Sequence, residues 1–170
     1  MSTIVLVGVP GAGKTTVGKL LAKELGLDFL DSDQVIESRT GKSVSDIFTQ
    51  DGESAFRQIE HDVIIDLLDS SNTVLALGGG SLGNDDTRAK VKSAKTVWLV
   101  AGLAQAVDRV GMNRNRPLLL GNVRGQLADL MAVREPFYKE VAKIAVDTSK
   151  LIPSEVVTEI VAEFKKKDTK

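Results

Sequence analysis

The chain has 170 residues, 22 basic and 23 acidic, for a net charge of −1. That balance leaves no broad positive footprint for nucleic acid, and 42% hydrophobic with 26% charged residues is the composition of an ordinary soluble globular protein. The absence of cysteine excludes disulfides and thiolate metal sites, and no apolar run approaches the ~18 residues of a membrane span. Thr3 to Val7 is a short apolar run rich in β-branched residues and predicts a buried strand. Met1-Ser2 run straight into it with no basic lead or cleavage site, so a cytoplasmic location is expected. Lys14 to Leu25 has helical spacing, with Val17, Leu20, Leu21 and Leu25 on one face and Gly26 as its stop. Phe29-Leu30 starts a second strand. Phe56, Ile59, Val63, Ile64, Leu67 and Leu68 recur three or four apart after Gly52 and predict a long helix. Thr73–Leu77, Thr96–Val100 and Ile144–Val146 read as three more strands separated by helical stretches. A last helix starts at Pro153, and the tail 165–170 is expected to fray. This alternation predicts one domain over 1–170, with a parallel sheet covered by helices on both faces.

Between the first strand and the first helix stands Gly8-Val9-Pro10-Gly11-Ala12-Gly13-Lys14-Thr15, a complete G-x-x-x-x-G-K-[ST]. Backbone N–H groups converging at a helix start hold the charge of a triphosphate, and glycine lets the backbone come close enough to do so. Lys14 is a point charge for the β- and γ-phosphates, and Thr15 offers a hydroxyl to Mg²⁺. Gly11, Ala12, Gly13, Lys14, Thr15 and Thr16 are the candidate ATP contacts in this segment. The motif identifies a nucleotide site without saying what the nucleotide is used for.

Three uses compete. A hydrolase usually ends a second apolar strand on a carboxylate, but Val74–Leu77 runs into Gly78-Gly79-Gly80 and Thr96–Val100 into Ala101-Gly102. A GTP switch needs N-K-x-D, which does not occur. Asp108-Arg109-Val110-Gly111 fits D-x-x-G only by chance, because it falls late in a helical stretch. The remaining use is a small-molecule kinase. Asp31-Ser32-Asp33 closes the second strand, and residues two apart in extended chain face one side. One carboxylate would serve a metal shell and the other an acceptor hydroxyl. The competing reading makes them turn acids, one capping the next helix.

With those pieces in hand, the chain resembles the shikimate kinases from about Ile4 to Pro153. The matching segments are the P-loop, Asp31-Ser32-Asp33, Phe56-Arg57-Gln58-Ile59-Glu60, Gly78-Gly79-Gly80, Asn115-Arg116-Pro117-Leu118-Leu119 and Arg134-Glu135-Pro136-Phe137-Tyr138. The resemblance implies a three-layer α/β P-loop kinase fold with a five-stranded parallel sheet in the order 2-3-1-4-5. It implies Mg²⁺ held by Thr15 and Asp31, and Asp33 as the base facing the acceptor hydroxyl. The acceptor carboxylate would lie on Arg57 and Arg134, with Gly78, Gly79 and Gly80 as its platform and Glu60 orienting Arg57. Arg116 would sit in a lid over about 111–124 and, with Lys14, neutralise the transferring phosphoryl group. That lid is expected to resist proteolysis when both ligands are bound. Arg109 would stack on adenine, with a loop near Pro153 on the other side. The implied reaction transfers the γ-phosphate of Mg-ATP to the 3-hydroxyl of shikimate, by a monomer with no nucleic-acid or membrane partner. Other acceptor kinases, for gluconate or nucleoside monophosphates, and a nucleotide-dependent regulator are the rivals. His61, the only histidine, is expected at the surface, Trp98 in the core, and Arg114 and Arg124 as solvated charges.

Overall fold

The computed structural model describes residues 2–111 and 122–170. Five short strands form one parallel sheet: β1 (Ile4–Val7), β2 (Asp28–Asp31), β3 (Thr73–Ala76), β4 (Lys95–Val100) and β5 (Ile144–Asp147). Their order is β2-β3-β1-β4-β5, the one expected. Val5 pairs with Leu75 on one side and Thr96 on the other, so β1 is the centre of the sheet. All four β1 residues are buried, as a strand covered on both faces requires.

The first helix, α1 (Lys14–Leu25), ends at Gly26 with φ 67, a left-handed stop that glycine adopts without strain. It packs on the last helix, α8 (Pro153–Asp168), to cover one face. The other layer contains α4 (Glu53–Leu68), α5 (Asp85–Lys92) and α7 (Val123–Val141), with α5 and α7 against β4. Between β2 and α4 lie two further helices, α2 (Ser32–Thr40) and α3 (Val44–Asp51); α6 (Leu103–Gly111) follows β4. The chance D-x-x-G match is therefore the end of α6, away from any strand end.

The structure refines several of these readings. The tail does not fray from Lys165: α8 remains helical to Asp168, though exposed, and Lys166 pairs with Glu163 one turn back. Asp31-Ser32-Asp33 is not an extended run, because Asp31 ends β2 and Ser32 and Asp33 open α2. Pro136 lies inside a helix. α7 runs through it to Val141, held by buried Leu127, Tyr138 and Val141 against the cost of the missing backbone donor. His61 is half-buried rather than at the surface. Its Nδ1 lies 2.7 Å from Thr87 Oγ1 and its Nε2 3.5 Å from Asp86, which braces α4 against α5. Trp98 packs partly buried against the core, its ring 6.0 Å from that of Tyr138. Arg124 is exposed. Arg114, Arg116 and most of the expected lid lie outside the described residues. Among the described residues no helix is long and apolar enough to cross a membrane.

Candidate active site

Parallel strands deliver the segments that follow them to one edge of the sheet, where ligands of such folds bind. Here the phosphate loop follows β1, the acidic turn follows β2 and the glycine run follows β3. Because β3 lies between β1 and β2, the glycine run stands between the loop and the acids.

The phosphate loop turns through Gly11 (φ 82) and Gly13 (φ 92), conformations that side chains rarely adopt. Gly13 then caps α1, whose first N–H groups face the loop. Lys14 Nζ donates to Gly8 O at 2.6 Å and Val9 O at 3.1 Å, so its ammonium spans the loop. Thr15 and Thr16 are exposed in the first turn of α1, while Ala12 is buried beneath it. Arg109 reaches from α6 to donate to Gly11 O at 2.9 Å, so the expected adenine-stacking residue lies against the loop itself. Gln105, one turn earlier on α6, donates to Ser149 O and ties α6 to the segment leading to Pro153.

The two readings of Asp31 prove compatible. Its Oδ1 caps α2, accepting from Asp33 N at 2.9 Å and Gln34 N at 3.2 Å. Its Oδ2 accepts from Thr15 Oγ1 at 3.4 Å. A hydroxyl and a carboxylate oxygen at the mouth of the phosphate loop are hard oxygen donors, a set that fits Mg²⁺, which binds through one or two carboxylates plus phosphates and water. Asp33 points from the first turn of α2 at the glycine run, and buried Ser32 beside it accepts from Gly78 N at 3.0 Å.

The glycine run is where the remaining residues meet. A β-carbon on Gly78 would stand 2.8 Å from Asp33 Oδ1 and 3.0 Å from Glu60 Oε2; one on Gly79 would stand 2.8 Å from Arg134 Nη1; one on Gly80 would stand 2.5 Å from Arg57 Nη2. Two carboxylates and two guanidinium groups therefore press on three consecutive residues. Arg57 is held from several sides: Nη1 donates to Glu60 Oε1 at 2.9 Å and Nη2 to Glu53 Oε1 at 3.4 Å. Its Cζ lies 5.3 Å from the Phe56 ring centre and 5.9 Å from that of Phe48, within cation–π range. The sequence expectations assign no role to Glu53, Ser32, Phe48 or Tyr138. The spacing of Glu53 four residues before Arg57 was the one local signal available. Arg57, Arg134, Gly79 and Gly80 line a cleft of ≈ 480 Å³. Gly79 also lines a second cleft, of ≈ 290 Å³, with Lys14, Thr15, Asp31 and Asp33.

That convergence is what a P-loop phosphotransferase with an anionic acceptor needs, and the relatives agree. The family model for shikimate kinase matches residues 10–165. The chain belongs to the shikimate kinase family. As a member it is an ATP-dependent kinase. The shikimate kinase of Thermobifida fusca is 49% identical over 160 residues, covering 94% of this chain and 93% of that one. The shikimate kinase of Acinetobacter baumannii, solved with shikimate, superposes with a TM-score of 0.96 at 37% identity, over 100% of this chain and 96% of that one. A gluconokinase from Sinorhizobium meliloti shares the fold, with a TM-score of 0.63 at 21% identity over 97% of this chain and 92% of that one.

Glu60 gives this kinase a pH signature. Its side chain is buried, which pushes the carboxyl from 4.5 up to about 7, with the Arg57 guanidinium opposing the rise. Below pH 4.5 the group is protonated in both the folded and unfolded states. As pH rises towards 7 the unfolded chain loses the proton first, so folding stability falls by about 1.4 kcal/mol per pH unit and then levels off. Urea unfolding from pH 4.5 to 8 is expected to show the parent losing about 3 kcal/mol relative to Glu60→Gln. A difference between the two chains that stays flat with pH excludes the raised carboxyl.

Proposed function

We propose that this chain transfers the γ-phosphoryl group of Mg-ATP to the 3-hydroxyl of shikimate, giving ADP and shikimate 3-phosphate. The observation that carries the reading is the meeting of Asp33, Arg57 and Arg134 on Gly78-Gly79-Gly80 beside the phosphate loop. Guanidinium groups hold a carboxylate through paired, charge-assisted hydrogen bonds. Arg57 and Arg134 take the shikimate carboxylate, and the bare backbone of the glycine run takes the ring. That fixes the hydroxyl end of the acceptor next to Asp33 and the mouth of the loop, which is the positioning that phosphoryl transfer chiefly requires.

Asp33 accepts the hydrogen bond of the 3-hydroxyl, orients it and takes its proton as the new P–O bond forms and the bond from γ-phosphorus to the bridging oxygen breaks. The loop N–H groups, with Gly11, Ala12, Gly13 and Thr16, hold the ATP phosphates, and Lys14 offsets charge on the γ-phosphate oxygens. Thr15 and Asp31 would hold Mg²⁺, which supplies further neutralisation of the β- and γ-phosphates. Arg109 contributes to the adenine side. Arg116 is assigned to the phosphoryl group by the family resemblance alone. In this reading the enzyme acts in the cytoplasm as a monomer, with neither nucleic acid nor a membrane as partner.

The test is ADP release in Mg-ATP with shikimate, gluconate or AMP offered separately against a no-acceptor control. Stimulation by shikimate alone is expected. Stimulation by gluconate or AMP instead replaces the acceptor, and no stimulation by any of the three in protein that binds ATP overturns the kinase reading.

A further inference from the structure

Tyr138 is the only tyrosine in the chain and is 1% exposed, yet its hydroxyl is directed at the site. It lies four residues after Arg134 on α7, hence on the same face of the helix. Its O–H donates to Gly79 O at 2.9 Å. With its one proton so committed, the same oxygen can act only as an acceptor, and the Arg134 guanidinium is its charged neighbour. Burial pushes the phenol up to about 12, so the donor is kept at any working pH.

Two consequences follow for the acceptor site. A planar trans peptide sets the N–H opposite the carbonyl, and the chain has no cis peptide bond among its described residues. Drawing Gly79 C=O in towards Tyr138 therefore turns Gly80 N–H away from the phenol. Arg134 Nη1 lies 2.8 Å from where a β-carbon on Gly79 would stand, and Arg134 lines the acceptor cleft together with Tyr138. One buried oxygen thus stands between the Gly79–Gly80 peptide, 59 residues away in sequence, and the Arg134 guanidinium.

We propose that Tyr138 is a positioning residue for the acceptor carboxylate, fixing Arg134 and the Gly79–Gly80 peptide together in the orientation that binds it. The inference rests on the assignment of the carboxylate to Arg134 and the glycine run.

The experiment compares parent and Tyr138→Phe with two acceptors: shikimate, and the analogue in which CH₂OH replaces the carboxylate. The substitution keeps the buried ring and removes only the hydroxyl. Removing one partner of a buried hydrogen bond to a charged group supports an effect of about tenfold. The expected result is a rise of roughly tenfold in KM for shikimate, with KM for ATP and kcat within about twofold. kcat/KM for the analogue is expected to stay nearly unchanged. If the parent prefers shikimate and the variant weakens both acceptors equally, Tyr138 is only structural and the inference fails while the carboxylate assignment stands. If the parent does not discriminate between the acceptors, that assignment fails and takes the inference with it. A measurement without substitution stands beside this one. Biosynthetic 3-fluorotyrosine labels Tyr138 alone, and its ¹⁹F resonance is expected to shift on saturation with shikimate and much less with the analogue. Equal shifts, or none with shikimate, overturn the proposal.

Discussion

Asp33→Asn is expected to lower kcat by on the order of 10³-fold while leaving the affinity for ATP within about twofold. The two effects separate because of where the side chain sits. Asp33 stands in the first turn of α2 with Oδ1 directed at Gly78, on the acceptor side of the loop. The groups assigned to the phosphates, Lys14 and the N–H groups at the start of α1, come from another segment. Asparagine keeps the volume and one oxygen of the carboxyl. In the proposed reaction it removes the charge that draws the 3-hydroxyl proton and the basicity that takes it. It also leaves Ser32, which ties α2 to the glycine run through Gly78 N, in place, so the fold is not the variable. Nucleotide binding followed by calorimetry and turnover followed by ADP release distinguish the cases. Turnover within tenfold of the parent excludes Asp33 as the base, and a matching loss of ATP affinity moves it to the nucleotide side.

How much of this was readable from the chain alone divides along sequence distance. The phosphate loop is one contiguous motif between a strand and a helix, and both its neighbours formed where the apolar spacing put them: α1 has the predicted bounds, Lys14–Leu25. The parallel sheet followed from alternation, and its strand order from the resemblance. Asp31 was open to two roles because local spacing cannot separate a cap from a metal ligand; in the structure Oδ1 caps α2 while Oδ2 faces the Thr15 hydroxyl, so the cap does not use up the carboxylate. Arg134 next to Pro136 reads as a helix end by the local rule, but tertiary packing carried α7 onward and put Tyr138 one turn further along. The residues missed were those whose partners are distant. Ser32 meets Gly78 46 positions away and Tyr138 meets Gly79 59 away, and neither contact leaves a periodic trace. Phe48 was missed for a related reason: α3 is eight residues long, too short to establish an apolar period between two turns.

Gly80→Ala tests the platform itself, and its backbone makes the test clean. Gly80 has φ −98 and ψ 4, in the negative-φ bridge region that residues with side chains also occupy, so alanine brings little conformational strain. What it brings is a methyl group 2.5 Å from Arg57 Nη2 and 2.8 Å from Cζ and Nη1, closer than carbon and nitrogen tolerate. One of them must move. The backbone of Gly80 is tied down, because Gly80 O accepts from Gly83 N at 3.3 Å and the peptide before it is held through Tyr138. The guanidinium is the end of a flexible chain, so Arg57 gives way, losing its geometry with Glu60 and with the acceptor carboxylate. A hydrogen bond to a charged group contributes about 1.5–3 kcal/mol, and Gly80→Ala is therefore expected to raise KM for shikimate roughly 10- to 150-fold. ATP affinity and the melting temperature should stay close to the parent values, since neither the phosphate loop nor the core is touched. The double variant Gly80→Ala, Arg57→Ala provides the decisive comparison: if the methyl group acts by displacing Arg57, adding it to Arg57→Ala costs little more. Full additivity of the two losses would mean that the alanine blocks the ring of the acceptor directly, and that the glycine run is bare to admit substrate rather than to seat an arginine.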